Sequence, residues 1–138
     1  MEEKKKNLKP SDEWFFQAEY DIASAEHMLS GGRYIYAVFM AHLALEKTLK
    51  GVYTFYLNVE PPRTHNLILL HERVEHKHNL GLNPDQNEVI EFLNEKSIPS
   101  RYPDVLIKIL DEFKEEETTK LISDVKEIIL CMKQQLKK

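Results

Sequence analysis

The chain has 138 residues, 42% of them apolar and 30% charged, which fits one globular domain with a single core and leaves little room for two. Lysine and arginine number 19 against 23 aspartate and glutamate, a formal charge of −4, so no broad basic surface is available to neutralise a phosphate backbone. The lone cysteine, Cys131, excludes an internal disulfide and, set among Ile128, Ile129 and Met132, reads as a small buried residue of a reducing compartment, so the expected location is cytoplasmic.

Met1 to Lys9 is mostly charged and lacks the ordered basic, apolar and small-residue regions of an export signal. Residues 1–10 therefore read as a charged mobile tail, and 11–138 as a single helical domain. Ser11 is a candidate N-cap, with Asp12 and Glu13 placed against the positive end of the helix dipole. The helix predicted from there to Leu29 gathers Phe15, Ala18, Ile22, Ala25 and Leu29 on one stripe, widened by Trp14 and Met28. Ser30-Gly31-Gly32 supplies a stop, since glycine takes positive φ at little cost.

A second helix is predicted from Arg33 to about Leu57, returning antiparallel with Tyr34, Val38, Ala41, Leu45, Thr48 and Val52 on one stripe. Ala37, Ala41 and Ala44 permit close helix approach, which makes this the expected central element. Its apolar run from Tyr34 to Leu45 is broken by His42 and closed by Glu46 and Lys47, well short of the roughly 20 residues a membrane span needs.

Pro61-Pro62 ends that helix, and Thr64 is the expected cap of a third, carrying Leu67, Leu70, Val74 and His78 on one side. Leu80-Gly81 closes it. Asn83, Pro84 and Gln86 read as an N-cap, a first-turn proline and a variant capping box for a fourth helix, Pro84 to about Lys96. Between Ser97 and Asp104, prolines at 99 and 103 disfavour helix. Val105 to Phe113 reads equally as a short helix or an extended segment. From about Lys114 to Leu136 a long last helix places Leu121, Val125, Ile128, Met132 and Leu136 on one stripe. Short connections between helical pieces give an all-α fold, an up-and-down antiparallel bundle of four long helices plus a short one.

The six histidines raise a metal hypothesis, and His71 to His76 comes close to the zinc-protease pattern. The two are one residue too far apart, however, and diverge by about 140° on a helix, so no metal and no cofactor are expected. On the second helix His42, Glu46 and Lys50 fall at i, i+4 and i+8, a polar stripe on an otherwise apolar segment. One reading is a solvent-facing edge with a Glu46–Lys50 pair contributing only a few tenths of a kcal/mol. The other has Glu46 or Lys47, with Asp21 of the first helix, pairing with Arg101 and fixing its loop. Arg101-Tyr102-Pro103-Asp104 combines a planar cation, an aromatic face and a rigid backbone, suited either to holding a phosphate or base or to covering the end of the bundle. Gly-rich phosphate cradles and nucleophile elbows are missing from the sequence, and Cys131 has no basic neighbour to activate it.

Trp14, Ala18, Asp21 and Ala25; Tyr34, Ala37 and Ala41; Leu45-Glu46-Lys47-Thr48-Leu49-Lys50; His65-Asn66-Leu67; and Arg101-Tyr102-Pro103-Asp104 together resemble the HEPN domain family, over about Ser11 to Leu136. The resemblance implies a helical bundle that commonly forms a homodimer, partners a minimal nucleotidyltransferase, sometimes as a toxin–antitoxin pair, and was proposed to bind nucleotides. Asp21, Glu46, Lys47, Lys50, Arg101 and Tyr102 are then the candidate nucleotide-binding or loop-fixing residues. Some members are metal-independent ribonucleases that set an arginine and a nearby downstream histidine at a dimer interface. Here no histidine follows Arg101, because His78 is the last in the chain. Arg73 and His78 have the spacing but lie in the third helical segment, so the expected function is a non-catalytic binding module. A ribonuclease acting on RNA through Arg73 and His78 across a dimer is the alternative.

Overall fold

A computed structural model describes residues 8–97 and 112–137, and within them the chain forms five helices with no strand. They are α1 (Ser11–Ser30), α2 (Tyr34–Leu57), α3 (Leu67–Lys77), α4 (Pro84–Ser97) and α5 (Glu115–Gln135). Arg101, Tyr102 and most of the ambiguous stretch after them lie outside the described residues.

The turn between α1 and α2 follows from its two glycines. Gly32, at φ 75°, takes the left-handed position that closes a helix, and Arg33 N–H reaches back to Met28 O at 2.8 Å, satisfying a carbonyl that the helix end would leave bare. Among the described residues the resulting α1–α2 pair forms the most extensive helix interface, and α2 also packs against α3, α4 and α5. Leu45, Leu49 and Val52 of α2 are fully buried, as are Leu70 and Val74 of α3, Leu93 of α4, and Val125, Ile128 and Met132 of α5. The expected central helix and the apolar stripes of α1, α3 and α5 are all present.

Two caps differ from expectation. Pro10, not Ser11, occupies the N-cap of α1, and Ser11 is already helical without a capping bond. Asn66, not Thr64, caps α3, its Oδ1 accepting from Leu69 N–H at 3.1 Å, while Thr64 Oγ1 accepts from Asn66 N–H at 3.1 Å. The start is fixed from outside the helix, because Asn94 Oδ1 of α4 accepts from Leu67 N–H at 2.8 Å. The reciprocal box at α4 forms as read: Gln86 N–H donates to Asn83 Oδ1 at 2.8 Å and Asn83 N–H to Gln86 Oε1 at 3.0 Å. Cys131 is partly rather than fully buried, its Sγ 3.8 Å from Gly81 O.

One contact sets how closely α1 approaches α2. A Cβ at Gly51 would lie 2.5 Å from Phe15 Cε1, well inside van der Waals contact. In an open helix Gly→Ala stabilises by about 1 kcal/mol. Here overpacking wins, and Gly51→Ala is expected to lower stability by about 1–2 kcal/mol in urea unfolding. In a Phe15→Ala background the same change should turn stabilising; a stabilising effect in the wild-type background would show that the ring yields freely.

Candidate functional site

The polar stripe of α2 does not face solvent. His42, Glu46 and Lys50 are each more than nine-tenths buried, under α1 on one side and the α2–α3 connector on the other, so the solvent-edge reading is overturned. The reason is that α2 packs on four helices, and a helix surrounded in this way has no wide free face.

Glu46 is the hub. Its Oε2 accepts from Lys50 Nζ at 2.9 Å, its Oε1 from His65 Nδ1 at 2.8 Å, and His42 Nδ1 stands 3.8 Å from the same Oε1. An ionised carboxylate can only accept, so the proton of the His65 contact sits on Nδ1. That bond fastens the connector to α2, because His65 belongs to the segment between the buried Pro61 and the α3 cap. His65 itself is half exposed. Alongside, Lys47 Nζ lies 2.7 Å from Asp21 Oδ2 of α1. A second carboxylate–ammonium pair thus ties α1 to α2 next to the first.

Trp14 lies beside the cluster. Lys9 Nζ is 3.8 Å from its ring centroid and Lys50 Nζ 5.6 Å, within the range of cation–π attraction. Its indole N–H is buried and has no acceptor among the described residues.

The expected site residues therefore divide. Asp21 with Lys47, and Glu46 with Lys50, form two adjacent pairs; the predicted partnership of Glu46, Lys47 and Asp21 with Arg101 falls outside the described residues, as does Tyr102. His65 was missed as a site member. Its partner is 19 positions away, beyond any local spacing rule, and the His65-Asn66-Leu67 motif was the one signal pointing to it.

Arg73 and His78 occupy different settings. Arg73 is exposed on α3, whereas α3 ends at Lys77 and His78, at φ −154°, is its extended C-cap. His78 thus lies just past the helix to which the sequence pattern assigns it, though its ring still turns toward α2. The His78 ring stacks on Tyr56 of α2, with centroids 3.9 Å apart and planes 17° from parallel. Burial pushes the Tyr56 phenol above its ordinary value of 10.0 because the charged phenolate is poorly solvated there. Among the described residues no His/Cys/Asp/Glu group is arranged to hold a metal ion, and no helix is long and apolar enough to cross a membrane.

The HEPN domain model matches residues 11–135 of the chain, spanning both ion pairs, the connector and all five helices. The chain belongs to the HEPN domain family. Two solved structures are similar to this HEPN domain. ST0689, an archaeal HEPN homologue, is 28% identical with a TM-score of 0.70, the match covering 94% of this chain and 99% of that one. TT1696 from Thermus thermophilus is 22% identical with a TM-score of 0.74, over 90% of this chain and 96% of that one, a likeness of fold. No curated protein matches the sequence.

Proposed function

We propose that this HEPN domain is a non-catalytic interaction module, dimeric, that partners a minimal nucleotidyltransferase and takes a nucleotide at the Trp14–Glu46 corner. The observation that carries the reading is the engagement of Glu46 within the fold: Lys50 and His65 contact its two oxygens, and Asp21 is engaged by Lys47. Carboxylates held in this way tie α1, α2 and the connector into one frame and are not poised to move a proton on a substrate. What the corner has left over suits an anion. The Trp14 N–H is a donor without an acceptor among the described residues, and Lys9 and Lys50 stand over the same ring, so a phosphate oxygen has the chemistry to complete it. Arg73 and His78, separated by exposure and by the end of α3, give the ribonuclease alternative no comparable support.

The test has two parts. Isothermal titration with ATP should give binding that Trp14→Phe, which keeps an aromatic ring and removes the donor, weakens by about tenfold. Sedimentation velocity with a minimal nucleotidyltransferase from the same genome should give a complex larger than the dimer. Absence of heat for any nucleotide removes the pocket, and absence of a complex removes the partner. Metal-free cleavage of structured RNA that His78→Ala abolishes would replace the reading with the endoribonuclease.

A further inference from the structure

On the other side of α5 from α1, a groove of about 660 Å3 runs between α4 and the N-terminal half of α5. Its floor is apolar: Val89 and Phe92 of α4, Phe113 ahead of α5, and Leu121 of α5. Phe113 is buried, but Phe92, whose ring centroid is 5.9 Å from that of Phe113, is 37% exposed. Residues 85, 88, 89 and 92 on α4, and 117, 120, 121 and 124 on α5, each follow the i, i+3, i+4, i+7 spacing that holds a helical stripe on one side. Both helices thus turn an apolar line with charged margins toward the same groove.

The margins are nearly all of one sign. Asp85, Glu88, Glu112, Glu117, Asp124 and Glu127 stand against a single lysine, Lys120. Lys120 is held by Asp124 at 2.9 Å and Glu112 is paired with Lys96 at 3.2 Å. Asp85, Glu88, Glu117 and Glu127 make no salt bridge among the described residues. A chain of formal charge −4 therefore concentrates more negative charge around this groove than it carries overall, at a cost in self-repulsion that a complementary partner would relieve.

We propose that the α4–α5 groove docks a basic amphipathic helix of a partner protein, its apolar face on Phe92 and Leu121 and its lysines or arginines on the acidic margins. Charge complementarity selects this occupant. Nucleic acid and anionic membrane are repelled by the rim. A second copy docking isologously sets the same carboxylates against each other, since a two-fold interface pairs a patch with itself. A helix laid in a groove uses the spacing found here, anchoring through i, i+3, i+4 and i+7. The inference rests on the chain being an interaction module, and not on the partner being a nucleotidyltransferase.

The probe is a fluorescein-labelled leucine–lysine helical peptide about four turns long, compared by anisotropy with a scrambled peptide of identical composition. The ordered peptide should bind the full chain about tenfold more tightly than the scrambled one, and more weakly as salt rises. Glu88→Lys with Glu117→Lys, and separately Phe92→Ser, should each weaken it by about tenfold with circular dichroism unchanged. Equal binding of the two peptides, or binding indifferent to these variants, overturns the groove. So does displacement of the probe by a peptide of residues 98–111, which assigns the groove to the chain's own segment, or loss of the dimer in Phe92→Ser, which assigns it to a second copy. Peptide binding without a nucleotidyltransferase complex leaves the groove standing and removes the partner identity proposed above.

Discussion

Val125→Asp is expected to abolish the cooperative thermal transition of the protein. Val125 is fully buried, on the stripe of α5 that α2 covers, and no cationic side chain shares that stripe. A carboxylate placed there must either remain charged without a partner or take up a proton, and either route costs several kcal/mol. A domain of this size has about 5–15 kcal/mol in total, so the loss takes most of it. Circular dichroism melts with near-ultraviolet spectra measure the outcome. A wild-type melt in Val125→Asp would mean that the helical register of α5 is not the one described, since a shift of two positions around the helix would carry residue 125 to the surface.

The second large effect is expected from Glu46→Ala. Removing the hub leaves Lys50 more than nine-tenths buried with no carboxylate, and releases His65 and with it the connector. Breaking a buried ion pair from one side typically costs about 3–5 kcal/mol, mostly because the surviving charge is stranded. Replacing both partners with apolar residues of similar size, Glu46→Leu with Lys50→Met, should recover most of the loss, because the penalty of stranding disappears. Urea unfolding of Glu46→Leu, Lys50→Met and the double variant closes the cycle. If Glu46→Ala costs no more than the fraction of a kcal/mol typical of an exposed pair, the cluster is wet and its burial does not hold.

The contrast between these two sites shows what the sequence makes legible. Val125 belongs to a stripe, and stripes at spacings of three and four declare themselves: α1, α2 and α5 begin and end within a residue or two of where periodicity, glycine and proline place them. The α4 box was readable for the same reason, since Asn83 and Gln86 are near neighbours whose bonds are local. Glu46 obeys the opposite rule. A polar residue on an apolar helix is assigned to water by default, and an adjacent lysine at i+4 strengthens that assignment, yet here the pair neutralises itself and goes inside. The α3 start is a mixed case: Asn66, a favoured cap residue whose bond to Leu69 N–H is local, can be found by inspecting residues 61–67, whereas the bond that Asn94, 27 positions away, accepts from Leu67 N–H cannot. Local chemistry was visible; partners brought together by the fold were not.

The chain has a single tryptophan, and the fold places it beside Lys50 and under Lys9 rather than in the leucine-rich interior. Its indole emission therefore reports the corner where the connector is clasped to α2. Optical signals from Trp14 will follow the loosening of that clasp, and ligand arrival near it.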